Sequence, residues 1–451
     1  MKRLITVILA LALIFSLAAC SGSNNGTPST RSDSGTPSSG DIRSTSSPEG
    51  SSSENTSTGA NAANASDNSS INAGSPVVQA SDIVVVAEPC VELFDRDMFR
   101  ETTLDGWQYK YIFSDGLIPA ADYLPDHTMG RRNTSDDYRY GYLDINGTFA
   151  IAPQFVDCLP FSEGLAAAQW GGDGYWWGYI DKSGSIAIPF EYEYANSFSE
   201  GLAAVVGRNG KWGFIDTSGN VAIPFEYDKY VTLGTNGADA FSEGLAYVYN
   251  GDKFGYIDKN GSVVIPFEYD FAQSFSEGLA IVRKDGNWGY IDKTGDAVIP
   301  IEFPQFPQDG YRMLSSFHEG LAGFFAGDDG YGFVDVNGDT VIEPNGTRTN
   351  VVGYELRFSE GYAIVPSGSN SVDYIDKNGE RLKLSGLIFR DSSSAFDGGV
   401  AIIAKQDSCA IININGEILA EHKLIVGLGE GYALFSDDGA VFGVLYNQAH
   451  R

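Results

Sequence analysis

Between Ser185 and Tyr192 the apolar side chains recur at every second position. Ile186, Ile188, Phe190 and Tyr192 fall on one face, and Ser185, Ala187, Pro189 and Glu191 on the other. A period of two predicts a β-strand with one apolar face. The same parity returns at Val221, Ile223, Phe225 and Tyr227, and at Val263, Ile265, Phe267 and Tyr269. Before each such run stands an aromatic-glycine strand, as in Trp177-Gly178-Tyr179-Ile180-Asp181 and Trp212-Gly213-Phe214-Ile215-Asp216. The two are joined by Asp-x-x-Gly, from Asp144 to Gly147, Asp181 to Gly184, Asp216 to Gly219, Asp258 to Gly261, Asp292 to Gly295, Asp335 to Gly338 and Asp376 to Gly379. Asp caps the free amides of a turn and Gly supplies the positive φ of a hairpin bulge, so these are antiparallel hairpins. A third strand, as in Leu202-Ala203-Ala204-Val205-Val206, precedes each hairpin and completes a unit. Pro189, Pro224, Pro266 and Pro300 interrupt the last strand of the unit, which makes it a sheet edge. Sheets that end at each proline predict separate small sheets stacked face to face. The glycine beside each tryptophan then leaves a hole for an aromatic of the adjoining sheet.

The unit repeats through the chain. Phe-Ser-Glu-Gly-Leu begins at Phe161, Phe198, Phe241 and Phe275, with variants at Phe113, Phe317, Phe358, Phe396 and Leu428. The intervals of 48, 37, 43, 34, 42, 41, 38 and 32 residues are those of stacked repeats or propeller blades. Nine units result. The Trp-Gly-Tyr/Phe-Ile-Asp phrase, the Ile-Pro strand and Phe-Ser-Glu-Gly-Leu-Ala together resemble the WG-containing repeat family, also called KWG repeats. The resemblance covers about residues 110–445 and is specific from Phe161 to Val341. It implies a bacterial, often exported, all-β array with no assigned catalytic activity, and it supplies no binding residues. At Val372-Asp373 and Cys409-Ala410 the aromatic-glycine pair is lost, which casts the last units as caps. The predicted fold is all-β, a tandem array of small antiparallel sheets. Nine units exceed the usual 4–8 blades of a propeller, which favours an open, superhelical array. The alternative is a closed ring. Asp82 to Pro89 looks like a stray proline strand and the chain stops at Phe442 to Tyr446 without one, so pairing of Val85 with Val444 decides for closure.

The N-terminus carries an address. Lys2 and Arg3 precede an apolar run from Leu4 to Phe15, the n- and h-regions of a signal peptide over residues 1–19. Leu17-Ala18-Ala19-Cys20 resembles the lipobox of bacterial lipoproteins, which implies diacylglycerol on the Cys20 thiol and cleavage just before it. Residues 20–81 are Ser, Thr, Asn and Gly-rich with hardly an aliphatic side chain, too little to offset chain entropy. Such a linker spans about 40–45 Å as a flexible coil. The repeat domain follows over residues 82–451.

Charge narrows the partners. Lys+Arg 29 against Asp+Glu 59 gives −30, a field that repels phosphate backbones, so no nucleic-acid partner is expected. The expected attachments are the membrane, through Cys20, and a cell-wall glycan or protein.

The chemistry of a catalytic centre is not apparent. His127, His318, His422 and His450 share no ligand spacing, which argues against zinc, and no cofactor motif is present. Gly171-Gly172-Asp173-Gly174 is a turn, and Asp335 to Asp339 has Thr340 where a calcium loop needs Gly, so it too is a hairpin turn. The regular carboxylates Glu163, Glu200, Glu243, Glu277, Glu319 and Glu360 suggest calcium or a cationic partner, but they recur with their Phe and Gly. Each is therefore expected to accept amides at its own corner. Trp177-Gly178, Trp212-Gly213 and Trp288-Gly289, with Tyr140, Phe254 and Tyr331 in equivalent places, match the stacking period and belong to the core. Trp170 and Trp176 fall outside the consensus and are the candidate ligand contacts. Beyond Cys20, the odd set Cys90, Cys158 and Cys409 suggests buried thiols or one optional bridge. A non-catalytic binding module is the leading expectation. An envelope spacer is the second. A hydrolase using Asp126 and His127, in the insertion from Asp122 to Asp137, is the third.

Overall fold

The computed structural model describes residues 77–92, 112–123, 138–172, 174–230, 237–304, 314–326, 330–344, 356–368, 371–384, 388, 393–437 and 441–450. The signal peptide, Cys20, linker residues 21–76, and Asp126 and His127 lie outside them. The last linker residues, 77–81, lie within the described part, where Val78 is buried in a core with Val400. All described strands pair antiparallel, in nine small sheets. The second sheet takes its strands in the order Asp157–Cys158, Leu165–Trp170, Trp176–Asp181 and Ile186–Tyr192. The third takes Tyr194–Ala195, Leu202–Val206, Trp212–Asp216 and Val221–Tyr227, with the proline strand outermost in both. The fourth strand was not apparent in the sequence. It is the two-residue tail of the preceding unit, which pairs with the next sheet before the corner.

Cores form between successive sheets. On the second sheet Ala166 and Ala168 face Tyr142, Ile151 and Phe155 of the first, while Ala167 faces Phe198, Ala203 and Val205 of the third. Burial on both faces explains why Leu165 to Ala168 of this strand is an unbroken apolar run. The proline strand differs from expectation. Ile188 and Tyr192 are buried, but Ile186, Val221 and Val263 are more than half exposed, because register shifts between Ile188 and Ile186, Ile223 and Val221, and Ile265 and Val263 break the alternation along the strand.

A bulge in the same strand corrects the role given to the glycine. Trp177 pairs with Tyr192 and Tyr179 with Ile188, so three residues, Pro189 to Glu191, arch over Gly178. A Cβ on Gly178 would lie 2.7 Å from the Ile188 carbonyl oxygen and 2.8 Å from the Phe190 nitrogen. The space is filled by backbone of the same sheet, not by an aromatic of the next one. The eighth sheet supplies the contrast: Cys409, Ala410 and Ile411 pair in unbroken register with His422, Glu421 and Ala420, and there Ala replaces Gly.

The succession closes on itself. The ninth sheet runs Leu424–Gly429, Tyr432–Ser436, Val441–Asn447 and then Ile83–Glu92, the N-terminal strand standing where a proline strand belongs. Val85 pairs with Leu445 and Ala87 with Val444, and a bulge between Ala87 and Val91 lies opposite Gly443. Phe113, Ile118 and Leu143 of the first unit share a core with Leu434, Phe435 and Val444 of the ninth. The closed alternative is therefore the observed one, and the preference for an open superhelix drawn from the unit count is corrected. Nor are the last units caps: the seventh and eighth form sheets like the rest. Closure leaves no terminal sheet face to cover.

Candidate functional site

Each sheet has two ends. At one lie the Glu-Gly corner and the Asp-x-x-Gly turn, since Leu165 pairs with Asp181 and Ile180 with Ile186. At the other lie the hairpin tip, where Trp170 pairs with Trp176, and the exit from the proline strand at Tyr192.

The corner end is built alike around the cycle. Glu163, Glu200, Glu243, Glu277, Glu319, Glu360, Glu430 and Asp115 all have φ between 51° and 58°, a left-handed backbone. Their carboxylates do not serve their own corners, as the sequence led us to expect, but the corner of the next unit. The amide of Gly201 donates to Glu163 at 3.0 Å, Gly244 to Glu200 at 3.0 Å and Gly278 to Glu243 at 3.0 Å. The amides of Glu319 and Gly320 donate to Glu277 at 2.6 and 2.7 Å. Asp115 and Gly116 donate to Glu430 at 2.8 Å each, which carries the ladder across the closure. In parallel, the hydroxyls of Ser114, Ser162, Ser199 and Ser242 each donate at 2.7 Å to the carbonyl of the next unit's corner Phe. Lys182, Lys259, Lys293 and Lys377 each pair with the corner carboxylate of the preceding unit, Asp115, Glu200, Glu243 and Glu319, at 2.9–3.1 Å. Burial alone would raise the Glu200 carboxyl, yet Lys259 and the amides of Gly244 and Glu243 hold it below the usual range. Deeper in, Tyr142, Tyr179, Tyr256 and Tyr290 donate at 2.7 Å to carbonyls at Leu159, Asn196, Gln273 and Ser315. Burial pushes these phenols well above their ordinary value, so they remain neutral donors.

The tip end varies from unit to unit. The hairpin closes from Lys284 to Asn287 in the fifth unit, from Val206 to Trp212 in the third, and from Tyr123 to Tyr138 in the first. The exit from the proline strand passes straight from Tyr192 to Tyr194 in one unit, yet from Tyr227 to a bridge at Ala238 and from Pro304 to a bridge at Leu314 in others. Differences in repeat length therefore accumulate at one end of the sheets.

At the tip of the second unit stand Trp170, 43% exposed, and Tyr175, 60% exposed. They are the two large aromatics left exposed among the described residues. Trp170 packs against Phe190 with ring centroids 5.8 Å apart and edge-on to Phe155 at 6.2 Å. Trp176, half-buried, lies under the Arg208 guanidinium of the third unit at 5.0 Å. A Cβ on Gly172 would meet Trp170 Nε1 at 2.9 Å, and one on Gly174 would meet Trp176 Nε1 at 2.4 Å. These glycines let both indole edges lie against the loop. Trp177, Trp212 and Trp288, with Tyr140, Phe254 and Tyr331, are buried between sheets. Tyr175, Phe190 and Arg208 were missed in the sequence, where the signal was a glycine-rich tip between two tryptophans.

Cys158 and Cys409 are buried thiols outside any disulfide, and Cys409 fills the Trp place of its unit. No cluster of three or more His, Cys, Asp or Glu suited to a metal occurs among the described residues. His422 pairs with Asp437 at 3.0 Å, and His450 stands 3.7 Å from Asp397.

A family model described as WG containing repeat matches residues 140–172, 177–212, 212–254, 254–288 and 288–327. No curated protein matches the chain. Among solved structures, one titled as the eukaryotic initiation factor is similar at 14% identity and a TM-score of 0.46, covering 75% of this chain and 89% of its own. BamB from Moraxella catarrhalis is similar at 14% identity and a TM-score of 0.37, covering 64% of this chain and 93% of its own. Apo AztD from Citrobacter koseri is similar at 12% identity and a TM-score of 0.36, covering 68% and 93%. Likenesses so slight carry nothing over to this chain.

Proposed function

We propose that this chain, a member of the WG containing repeat family through the five copies at residues 140–327, is a membrane-anchored bacterial lipoprotein. In this reading its acidic head is a non-catalytic binding module on the extracytoplasmic face. Acylated Cys20 holds it to the membrane, and the linker of residues 20–81 lifts the head clear. The observation that supports binding is the division of the head into two ends. The corner end repeats one hydrogen-bonded scaffold, while the tip end carries the length differences and the exposed aromatics. Repeat proteins that bind use insertions on one face while the rest maintains the stack.

Two measurements test this. Labelled palmitate fed to expressing cells enters the wild-type chain and not Cys20→Ser; equal labelling of both overturns the anchor. For binding, the tip from Gly171 to Tyr175 is replaced by Asp-Gly, the turn of the fifth unit, in the Cys20→Ser chain, which lacks the anchor, and its retention on isolated cell envelopes is compared with that of Cys20→Ser alone. Loss of retention with an unchanged circular dichroism spectrum supports the binding module. Retention of the grafted chain equal to that of Cys20→Ser alone overturns it in favour of a spacing role.

A further inference from the structure

Resting on that reading, we infer that Trp170, Tyr175 and Trp176 form a stacking platform for the pyranose rings of a neutral glycan. Trp170 and Tyr175, the two large aromatics left exposed among the described residues, stand together at this one tip with half-buried Trp176 beside them. The two tryptophans are held in place rather than left loose. Phe155 and Phe190 brace Trp170, Arg208 covers Trp176, and Gly172 and Gly174 admit the indole edges. Rigid aromatic surface binds with little loss of side-chain freedom.

The size of the patch selects the class of ligand. Large aromatic side chains bury about 150–250 Å² each, so three partly covered rings offer well under the roughly 800 Å² that each partner contributes to a standard protein interface. One or two sugar rings fit that area. A pyranose presents an apolar C–H face to an aromatic plane and a rim of hydroxyls to polar neighbours. Donors stand beside the aromatics: Arg208, over one face of Trp176, and the Arg139 guanidinium, 3.9 Å from the place a Cβ on Gly171 would take. Nucleobases would also stack, but they come with phosphates that a net charge of −30 repels, and the same field opposes polyuronates. A neutral chain remains.

The full chain, purified in a detergent without a sugar headgroup, is titrated by calorimetry with chitohexaose, cellohexaose and mannohexaose, and with polygalacturonate. At least one neutral hexaose is expected to saturate the protein. Trp170→Ala and Trp176→Ala should weaken it tenfold or more, with Val221→Ala, an exposed side chain on the third unit's outer strand, unchanged. Circular dichroism of each variant confirms the fold. Saturation by none of the neutral hexaoses, equal or tighter binding of polygalacturonate, or wild-type binding by Trp170→Ala each overturns the inference. If the Gly171–Tyr175 graft still loses envelope retention while no hexaose binds, this inference falls and the binding module stands. If the graft is retained like Cys20→Ser alone, the parent reading falls.

Discussion

The corner carboxylates set two effects against each other, and Glu200 separates them. Its backbone sits at φ 55°, where a side chain with a Cβ is strained by about 1–2 kcal/mol. Its carboxylate accepts the Gly244 amide at 3.0 Å and pairs with Lys259 at 3.0 Å. Charged hydrogen bonds contribute about 1.5–3 kcal/mol when shielded, but the Glu200 side chain is 30% exposed and the lysine pair more so, which points to about 2 kcal/mol for both together. Glu200→Ala keeps the strained backbone and loses both contacts, so it should destabilise by about 2 kcal/mol. Glu200→Gly loses the same contacts but relieves the strain, and should lose only about 1 kcal/mol. Calorimetric melting of the full chain reads this as a shift on the order of 2 °C per kcal/mol. The expected order of midpoints is wild type, then Gly, then Ala. A glycine variant no more stable than the alanine one refutes the strain argument. An alanine variant that melts with wild type refutes the bridge.

Gly178→Ala forces a Cβ to 2.7 Å from the Ile188 carbonyl and should cost about 1–3 kcal/mol in urea unfolding, whereas Ala410→Gly, where no bulge stands opposite, should shift the midpoint by under about 1 kcal/mol. Tyr179→Phe removes the 2.7 Å bond to the Asn196 carbonyl and should cost about 0.5–1.5 kcal/mol, while Tyr179→Ala, which empties the contact with Phe198, should cost about 3–5 kcal/mol; the native Phe214 in the equivalent place of the third unit sets the precedent. Four of the turn carboxylates, Asp181, Asp216, Asp258 and Asp292, have values held below the ordinary range. Side-chain bonds lead at Asp181, Asp216 and Asp292, from Ser183, Asn220 and Thr294, and the Ser262 amide leads at Asp258. Their contribution is present above the unfolded carboxylate value and is lost as pH falls through the depressed folded values, so the melting midpoint should be level from pH 7 to about 5 and drop below about 4. A midpoint that rises on acidification contradicts this. Deleting residues 77–92 should expose the Val441–Asn447 edge, and hydrogen exchange should accelerate there and at Tyr432–Ser436 before it does in the fourth sheet.

Hairpins, edge prolines and the number of units were legible because each is written within one stretch of sequence. The destination of the corner carboxylates was not. Glu163 bonding its own corner or that of Gly201 calls for the same residues at the same spacing, and only the stacking of sheets decides. The added strands, Asp157–Cys158, Tyr194–Ala195 and Phe271–Ala272, are too short to show a period. Closure was legible as a missing proline strand at one end and a spare one at the other, but register between Ile83–Glu92 and Val441–Asn447 is a contact across the whole domain. At the tip, Trp170 and Trp176 stood out as exceptions to the repeat. Arg208 did not, because it belongs to the next unit and meets Trp176 only when the sheets stack.

One corner departs from the ladder, and its departure fits the logic of closure. In the eighth unit Gly398 occupies the Glu place, so no carboxylate reaches the ninth corner from there. The C-terminal tail takes that space. His450 Cδ2 lies 2.2 Å from where a Cβ on Gly398 would stand, and His450 Cβ 2.7 Å from the corresponding point on Gly431. Asn447 holds both neighbours, its side-chain amide donating to the Gly398 carbonyl at 2.9 Å and its backbone amide to the Gly431 carbonyl at 2.8 Å. A glutamate at 398 would collide with the tail, and a tail without that glycine could not dock. The junction beside the closing strand is thus sealed by the chain's last turn instead of by the repeat. Around the rest of the cycle the carboxylates are engaged by amides and lysines, so the corner end serves cohesion, and variation is left to the tips.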